Sequence, residues 1–481
     1  MNSRSIILIL SILYLTTSIN ELFAQTLKRS STNLEYGAHR LGRRNDDVMM
    51  KWRNYGLGQF IHWGLYAIPG GFWNGKYYPG AAEWIRSWDG MPNDAYDNLY
   101  KQFDPKKFDA EQWADMAQNM GSKYMIITTK HHDGFCLWPS KYTDYTIANT
   151  PYKKDLIQPL VDAYDNRGID VYLYFSVMDW NHPGWRYQIE SKEDSIAFES
   201  FKKFTRNQLL ELLEKYPKAK GLWFDGTWDK AWVQQAAFCD ELEKEMRAIH
   251  PGLIIGSRFR ADENGKRHFD TNGDLMGDYE QGWERKIPNS IADTHDTDWD
   301  CVMTIPENIW GYHSEWRGHI KTTTELLEMM AKCISLDGNF VPNFGPNKEG
   351  TFRSEEVKIA KEIGAWMKMN GEAIYDCGYT PLEKQDWGYY TLNRKTNQLN
   401  MVVFNFPTSG KLRVKVPVAH ELINAFGLNN KNKKLRIEEI NQDNYFIHLE
   451  GPNPTQPTVY VIELKKLEFN TKTGKYEKAK T

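Results

Sequence analysis

Between residues 50 and 370, short apolar runs alternate with longer stretches whose apolar residues recur on one side. The short runs predict strands, because each is rich in β-branched or aromatic residues and is bounded by turn residues. They read GQFIHWG (58–64), YMIITTK (124–130), DVYLYFS (170–176), GLWFD (221–225), LIIGSR (253–258) and GNFVPNFG (338–345).

The stretches between these runs predict helices. In residues 155–168, Asp155 can cap the helix start, and Leu156, Leu160 and Tyr164 recur at every fourth position. Further helices are predicted over 195–216, 229–250 and 322–336. Repeated strand–helix alternation is typical of a parallel sheet covered by helices, and a unit of this length favours closure into a (β/α)8-like barrel. The second and seventh strands are weak in the pattern, which predicts an irregular barrel.

After Asn370 the pattern changes to strands that alternate apolar and polar residues. The candidates QLNMVVFNF, GKLRVKVP, NYFIHLE and PTVYVIEL are separated by turn-forming residues, and no comparable helix is predicted between them. We therefore assign the barrel to residues 30–372, an all-β sandwich to 373–467 and a polar tail to 468–481.

The N-terminus is typical of an export signal. Arg4 precedes the apolar run IILILSILYL, which is shorter than the roughly 20 residues that a membrane-spanning helix needs. ELFAQ offers a cleavage point after Ala24. We predict a signal peptide over 1–24, a secreted or periplasmic protein and no membrane partner.

Composition narrows the function classes only slightly. A net charge of -3 gives no reason to expect a nucleic-acid partner. The 18 Trp, 26 Tyr and 22 Phe suit a protein that stacks rings on sugars, although large rings are also common in cores. The five cysteines lack the spacing of a zinc site or a disulfide framework, so we expect buried, unreactive thiols. The oligomeric state stays open, and a homo-oligomer is compatible with the sequence.

Side chains able to do chemistry collect at the carboxyl ends of the predicted strands, where active sites of (β/α)8 barrels form. They are His62, His131, His132, Asp225 and Arg258. Each could be structural by itself, but their joint placement predicts one active site. His and Asp are also metal ligands. Because adjacent residues of an extended chain point to opposite sides, we expect His131 and His132 not to share an ion, and we predict neither a metal nor another cofactor.

The strand GLWFD places a carboxylate among aromatic residues. Alternation puts Trp223 and Asp225 on one face, and Leu222 and Phe224 on the other. Asp225 should then lie at the barrel mouth beside an indole, with Phe224 facing the helices. An unpaired charge in such surroundings is costly, which indicates that Asp225 has a function there.

Seven stretches along the predicted barrel resemble the sequences of a known protein family. They read GLGQFIHWGLYAIPGG, EW at 83–84, KYMIITTKHHDGFCLWPSKYTDYTI, LYFSVMDW, GLWFDGTW, TIPENIWGYH and DGNFVPNFGPNKEGTF. Together they resemble the α-L-fucosidases of glycoside hydrolase family 29. The resemblance covers nearly the whole predicted barrel in order, and it implies a catalytic (β/α)8-like domain followed by a β-sandwich.

The resemblance implies an exo-acting enzyme that removes terminal α-L-fucosyl residues from a fucosylated glycan with retention of configuration. Asp225 falls at the position of the nucleophile, and retention needs a second carboxyl group about 5 Å away. The family often carries GD[FY]xTPE after the arginine strand, whereas this chain reads GDYEQGWERKIP, one residue longer. Alignment from ERKIP favours Glu284 as the acid/base, and alignment from GDY leaves Glu280 open.

The resemblance also implies a fucose pocket. Its residues are His62, Glu83, Trp84, His131, His132, Tyr174, Trp223, Arg258 and Trp310. A deoxy sugar presents hydroxyls that need polar partners and one methyl that needs an apolar contact, for which Trp310 is the candidate wall. Two alternatives stay open: the same site acting on a related sugar such as a galactoside, or a noncatalytic glycan-binding protein.

Overall fold

The computed structural model describes residues 43–88, 90–470 and 475–477. The predicted signal peptide lies outside the described residues and stays a prediction, which N-terminal sequencing of the mature protein would test. Within the described part of the chain, no helix is long and apolar enough to cross a bilayer.

The first part of the chain forms a parallel sheet. The strands of this part of the chain are β1 (Gly58–Ile61), β2 (Phe72–Trp73), β3 (Lys76–Tyr77), β4 (Tyr124–Lys130), β5 (Asp170–Ser176), β6 (Gly221–Asp225), β7 (Ile254–Ile255), β8 (Glu280–Glu284), β9 (Trp299–Thr304) and β10 (Asn339–Phe344). Eight of these strands form one sheet in the order β7-β6-β5-β4-β1-β10-β9-β8, and each pairing is parallel. Strands β2 and β3 form a separate hairpin.

The two ends of this sheet meet and close the barrel. Gly256, just after β7, forms a parallel bridge with Tyr279, just before β8. The N–H groups of Ser257 and Asp278 donate to the carbonyl oxygens of Tyr279 and Ile255 at 3.0 and 2.7 Å. The predicted (β/α)8-like closure is therefore confirmed, and its seam is short because β7 has only two residues.

Strand prediction succeeds where apolar runs are continuous. Strands β4, β5 and β6 have the predicted bounds, and β10 is one residue shorter than predicted at each end. The predicted strand over 253–258 keeps only the two residues of β7. The pattern missed β8 and β9, whose sequences EQGWE and WDCVMT carry charged residues that interrupt the apolar run.

Helices connect the strands and cover the sheet. They are α1 (Asp47–Arg53), α2 (Asn93–Asp97), α3 (Ala110–Met120), α4 (Ile157–Asp165), α5 (Lys192–Lys215), α6 (Lys230–Val233), α7 (Ala236–Ile249), α8 (Thr323–Ser335) and α9 (Ser354–Asn370). The N-cap of α4 is Leu156, one residue after the predicted Asp155. The carboxylate of Asp155 nevertheless accepts from the N–H groups of Ile157 and Gln158 in the first turn, at 2.9 and 3.2 Å. The single helix predicted over 229–250 is divided into α6 and α7.

Side-chain alternation divides the barrel core into two layers. Tyr172, Tyr174 and Trp223 belong to a buried cluster that collects residues from strands all around the sheet, which only the interior of a closed barrel can do. Leu173 and Phe224 belong to a second cluster, which they share with residues of the covering helices. The predicted faces of β6 are therefore confirmed.

The rest of the chain is antiparallel. Its strands are β11 (Cys377–Gly378), β12 (Gly388–Asn393), β13 (Leu399–Val403), β14 (Lys411–Lys415), β15 (His420–Gly427), β16 (Asn430–Lys434), β17 (Arg436–Asn441), β18 (Asn444–His448), β19 (Thr458–Lys466), β20 (Glu468–Asn470) and β21 (Lys475–Glu477). A six-stranded sheet and a three-stranded sheet share one apolar core, as the predicted β-sandwich requires. Strands β20 and β21 pair as a hairpin within the predicted polar tail. The assigned bounds of barrel and sandwich stay predictions.

The two parts share a buried interface. The indole N–H of Trp366 on α9 donates to the carbonyl oxygen of Pro457 at 2.8 Å. Trp366 also belongs to an apolar cluster that includes Val402 and Val459 of the sandwich. The sandwich therefore braces one side of the barrel.

The five cysteines are buried and free, as predicted. Burial raises the pKa of the Cys239 and Cys377 thiols to about 12. Because the thiolate is the reactive form of cysteine, these two thiols are unreactive near neutral pH.

Gly277 lies at the barrel seam. A Cβ at this position would lie 2.6 Å from the backbone nitrogen of Ser257 and 2.8 Å from the carbonyl carbon of Gly256. Since backbone atoms cannot rotate away, we expect Gly277→Ala to lower the free energy of unfolding by about 1–3 kcal/mol in urea. A Cβ at Gly427 would meet nothing within 4 Å, so Gly427→Ala is the control and should not destabilise. Equal stability of wild type and Gly277→Ala would contradict this prediction.

Candidate active site

A cavity of about 270 Å³ opens at the carboxyl end of the barrel strands. Nine of the predicted site residues line it: His62, Glu83, Trp84, His131, His132, Trp223, Asp225, Glu284 and Trp310. The structure thus brings together residues from strand ends and loops that are far apart in the chain.

Asp225 ends β6, and its side chain is 14% exposed. Its Oδ2 accepts a hydrogen bond from the Tyr174 hydroxyl at 2.8 Å, and its Oδ1 accepts one from Arg258 Nη1 at 3.0 Å. Each carboxylate oxygen is therefore held in place by one donor. The negative charge of Asp225 lies among aromatic residues. The buried guanidinium of Arg258 stabilises this charge and offsets the cost of burying it.

Arg258 also binds a second carboxylate. Its Nη2 donates to Glu284 Oε2 at 2.6 Å, so one planar guanidinium joins Asp225 and Glu284. Its Cζ lies 5.0 Å from the centre of the Trp223 ring. Burial alone would lower the pKa of Arg258, but the charges of Glu284 and Asp225 outweigh burial and raise that pKa.

The sequence leaves Glu280 and Glu284 as candidates for the second carboxyl group. Of these two residues, only Glu284 lines the cavity. Glu280 pairs with Trp299 and Trp283 pairs with Cys301, so β8 has one residue more than β9 between these two pairs. Such a β-bulge changes the direction in which the side chains after it point. The bulge lies within GDYEQGWERKIP, and Glu284 after it lines the cavity.

Glu280 makes a different contact. It is buried, and its Oε1 lies 2.8 Å from Nδ1 of His268. The structure therefore favours the alignment from ERKIP over the alignment from GDY.

Tyr174 and Arg258, which the sequence assigned to sugar binding, are not part of the cavity lining. Both lie against the carboxylates and donate to them. They contact Asp225 and Glu284 directly, and a contact of either with sugar stays a prediction.

The three predicted histidines are buried and neutral. Burial lowers the pKa of His62 and His132 to about 3, and it holds the pKa of His131 well below its ordinary value. A neutral imidazole has one donor and one acceptor nitrogen. It can therefore donate to the oxygen of a hydroxyl group or accept from its hydrogen.

The surrounding hydrogen bonds indicate the tautomer of two of these rings. Asn343 donates its amide N–H to the Trp310 carbonyl, so its Oδ1 accepts from His62 Nδ1 at 2.7 Å. Ser176 donates its hydroxyl to the Met178 carbonyl, so its Oγ accepts from His132 Nδ1 at 2.7 Å. Nε2 of each ring is then an acceptor.

The expectation that His131 and His132 point apart is wrong. Their ring centroids are 4.2 Å apart, because the chain leaves the regular alternation of β4 after Lys130. One ligand atom from each ring and one from Asp225 lie within 4.8 Å of one another, an arrangement that could hold a metal ion. Both oxygens of Asp225 already accept hydrogen bonds. The absence of a metal stays a prediction.

Glu83 lies in the 3₁₀ turn Ala82–Trp84 and is fully buried. Burial raises the pKa of Glu83 to about 7, against the opposing effect of the Gly311 N–H, which donates to Oε2 at 2.9 Å. A Cβ at Gly311 would lie 2.6 Å from the Tyr66 ring, so glycine permits this close approach. Near neutral pH, Glu83 can both donate and accept.

Three buried polar atoms of cavity-lining residues have no hydrogen-bond partner among the described residues: Oε1 of Glu83, Nδ1 of His131 and Nε1 of Trp223. Buried polar groups normally are paired, so all three indicate a polar ligand. Phe60 lies 5.1 Å from Trp223 and 6.1 Å from Trp310 between ring centroids, which adds an apolar wall. The cavity thus suits a ligand with several hydroxyls and one apolar group.

Several residues that line the cavity were not predicted from the sequence: Phe60, Ala81, Trp88, Trp228, Arg285 and Asn308. Trp88 and Trp228 stack on Trp84 with ring centroids 4.9 and 6.4 Å away. Trp228 stands in the quoted GLWFDGTW, so position relative to Asp225 could have found it. Arg285 directly follows Glu284, and Asn308 stands in the quoted TIPENIWGYH, so position relative to Glu284 and Trp310 could have found them too.

A family model described as alpha-L-fucosidase matches residues 23–372. The chain belongs to the α-L-fucosidase family. Human plasma α-L-fucosidase is 29% identical over 380 residues, which are 76% of this chain and 77% of that protein.

Two crystal structures of an α-L-fucosidase from Bacteroides thetaiotaomicron also resemble this member of the family. One has a TM-score of 0.87 at 50% identity, over 91% of this chain and 99% of that one. The other has a TM-score of 0.86 at 49% identity, over 90% of this chain and 100% of that one. The second is a covalent intermediate with 2-fluoro-fucosyl fluoride, trapped in a Glu→Gln variant.

Glu83 makes the stability of this α-L-fucosidase family member depend on pH. Its pKa is about 7 when folded, against an ordinary value of 4.5, so the folded state binds the proton more tightly. That stabilisation is complete below pH 4.5 and is lost as the pH rises to about 7. We expect the unfolding free energy of wild type, relative to Glu83→Gln, to fall by about 3 kcal/mol across this interval. Urea unfolding of both proteins at a series of pH values measures it; a constant difference would contradict the raised pKa.

Proposed function

We propose that the protein is an exo-acting α-L-fucosidase that hydrolyses terminal α-L-fucosyl residues of glycans with retention of configuration. The observation that carries this proposal is the pair of carboxylates, Asp225 and Glu284, held by one guanidinium at one cavity. Membership of the α-L-fucosidase family supports the choice of sugar.

In the first step Asp225 attacks the anomeric carbon, and the bond from that carbon to the leaving oxygen breaks. Glu284 gives its proton to that oxygen, and a covalent fucosyl ester forms on Asp225. Retaining enzymes need the two carboxyl groups about 5–5.5 Å apart. A single rigid guanidinium bonded to both groups holds them close, which supports this geometry.

In the second step Glu284 takes a proton from water, and the oxygen of that water displaces Asp225 from the anomeric carbon. Two inversions restore the original configuration. The covalent intermediate trapped in the bacterial relative supports such a route for the family.

Tyr174 and Arg258 prepare Asp225 for the attack. Their hydrogen bonds fix the orientation of the carboxylate before the sugar binds. Preorganised donors of this kind need no rearrangement during the reaction, which lowers its barrier.

Recognition of the sugar divides between polar and apolar groups. The Nε2 acceptors of His62 and His132 and the unpaired N–H of Trp223 are matched to hydroxyl groups. Phe60 and Trp310 form an apolar side suited to the methyl group at C5. A methyl-sized contact discriminates by about 1–3 kcal/mol, and an extra hydroxyl left unpaired adds to the rejection of galactose.

We also propose that the enzyme acts outside the cytoplasm on glycan chains. Arg4 and the following apolar run support export.

Replacement of Asp225 tests the nucleophile. We expect Asp225→Gly to lower kcat for 4-nitrophenyl α-L-fucoside by more than about 10⁴-fold, because no covalent intermediate can form. The fold should persist by circular dichroism, since Asp225 lies at a strand end. Azide, entering the vacated space, should restore release of nitrophenol and yield β-L-fucosyl azide.

Wild-type turnover by Asp225→Gly would rule out the nucleophile role. Wild type should release nitrophenol from the α-L-fucoside and not from the matching β-D-galactoside. Release from the galactoside instead would favour the related-sugar alternative, and release from neither, with measurable sugar affinity, would favour a binding protein.

Leaving-group dependence separates the two glutamates. We expect Glu284→Ala to lower kcat/KM for phenyl α-L-fucoside by about 10²- to 10⁴-fold, because a poor leaving group needs its proton. The 4-nitrophenyl substrate should lose far less in this first step. Glu280→Ala is the matched control and should change both substrates by a similar factor. The opposite behaviour of the two variants would move the acid/base role to Glu280.

A further inference from the structure

Arg285 follows Glu284 directly and lines the same cavity. Successive side chains of a regular strand point to opposite faces, so the residue after Glu284 would face the helices. Arg285 instead has a φ of 56°, in the left-handed region that non-glycine residues rarely adopt. Its N–H still donates to the carbonyl oxygen of Val302 at 2.9 Å. This turn brings two consecutive charged side chains to one cavity.

Asn308 fixes the guanidinium at the entrance. Nη1 of Arg285 donates to Oδ1 of Asn308 at 3.1 Å, and Asn308 also lines the cavity with a left-handed φ of 59°. The Arg285 side chain is 43% exposed, and its Nε lies 3.6 Å from Oε1 of Glu284. Strained backbone concentrates at binding sites, and here it occurs at both partners of one hydrogen bond.

The charge balance changes in the reacting form of the site. Glu284 then carries a proton, and Arg258 remains paired with Asp225. The buried histidines are neutral, so they do not compete for an anion. Arg285 therefore gives the entrance a positive charge that Glu284 no longer balances. The leaving group must lie beside this guanidinium, because its oxygen receives the proton of Glu284.

We propose that Arg285, braced by Asn308, binds a carboxylate on the leaving-group side of the fucosyl linkage. A guanidinium presents paired N–H donors in one plane, which match the two oxygens of a carboxylate. Fucosides with an acidic residue next to the linkage are then better substrates than neutral counterparts. This inference rests on the proposed function, and it names the class of leaving group for that reaction.

Two chromogenic α-L-fucosides test it: the fucoside of 5-hydroxy-2-nitrobenzoate and that of 5-hydroxy-2-nitrobenzamide. Their leaving groups have nearly the same shape and differ in charge. We expect wild-type kcat/KM to be about tenfold higher for the benzoate, the size of one charge-assisted hydrogen bond. This ratio should fall as salt is added, because an exposed ion pair is screened. In Arg285→Gln the ratio should fall close to one, whatever happens to the two rates themselves.

Arg206→Gln is the matched control. Arg206 is 39% exposed and also pairs with a carboxylate, Glu245, but on the outer helices α5 and α7, so this variant should keep the wild-type ratio. Equal ratios in wild type and Arg285→Gln, or a loss of both rates by one factor, would overturn the proposal. Hydrolysis of the benzamide fucoside by wild type would in that case still support the proposed function. No hydrolysis of either fucoside would overturn both.

Discussion

The guanidinium of Arg258 bonds two carboxylates at once, and the arrangement of the cavity depends on this group. Asp225 and Glu284 would repel each other if they were left alone at this separation, and buried Arg258 would be costly without them. Arg258 therefore stabilises both carboxylates, and the two carboxylates offset the cost of burying Arg258. Such a set holds the Asp225 carboxylate in aromatic surroundings and keeps a second carboxyl group, that of Glu284, beside it.

The barrel supplies this set from three strands that are neighbours around its wall. Asp225 ends β6, Arg258 follows β7 and Glu284 ends β8, and β7 meets β8 at the closing seam. This set of charges thus spans the point where the sheet closes. Because β7 is short and β8 is bulged, the backbone here departs from regular strand geometry, which lets polar side chains converge.

The remaining polar groups of the cavity carry little fixed charge. His62 and His132 are neutral because burial lowers the pKa of each, and burial raises the pKa of Glu83 to about 7. Hydroxyl groups of a sugar can pair with neutral groups without the desolvation cost of further ions. The strong charges of the cavity are then confined to Asp225, Arg258 and Glu284 and, through Arg285, to the entrance.

The sequence by itself determined the barrel, the alternation on β6 and the carboxyl-end position of Asp225, because continuous apolar runs set strand faces locally. Only the tertiary structure shows that Glu284 lines the cavity and Glu280 does not, since a bulge is defined by the partner strand β9. It also decided that Tyr174 and Arg258 lie against the carboxylates, and that His131 and His132 converge. Local pattern specifies which face a side chain takes; its neighbours depend on register, turns and closure between residues far apart in the chain.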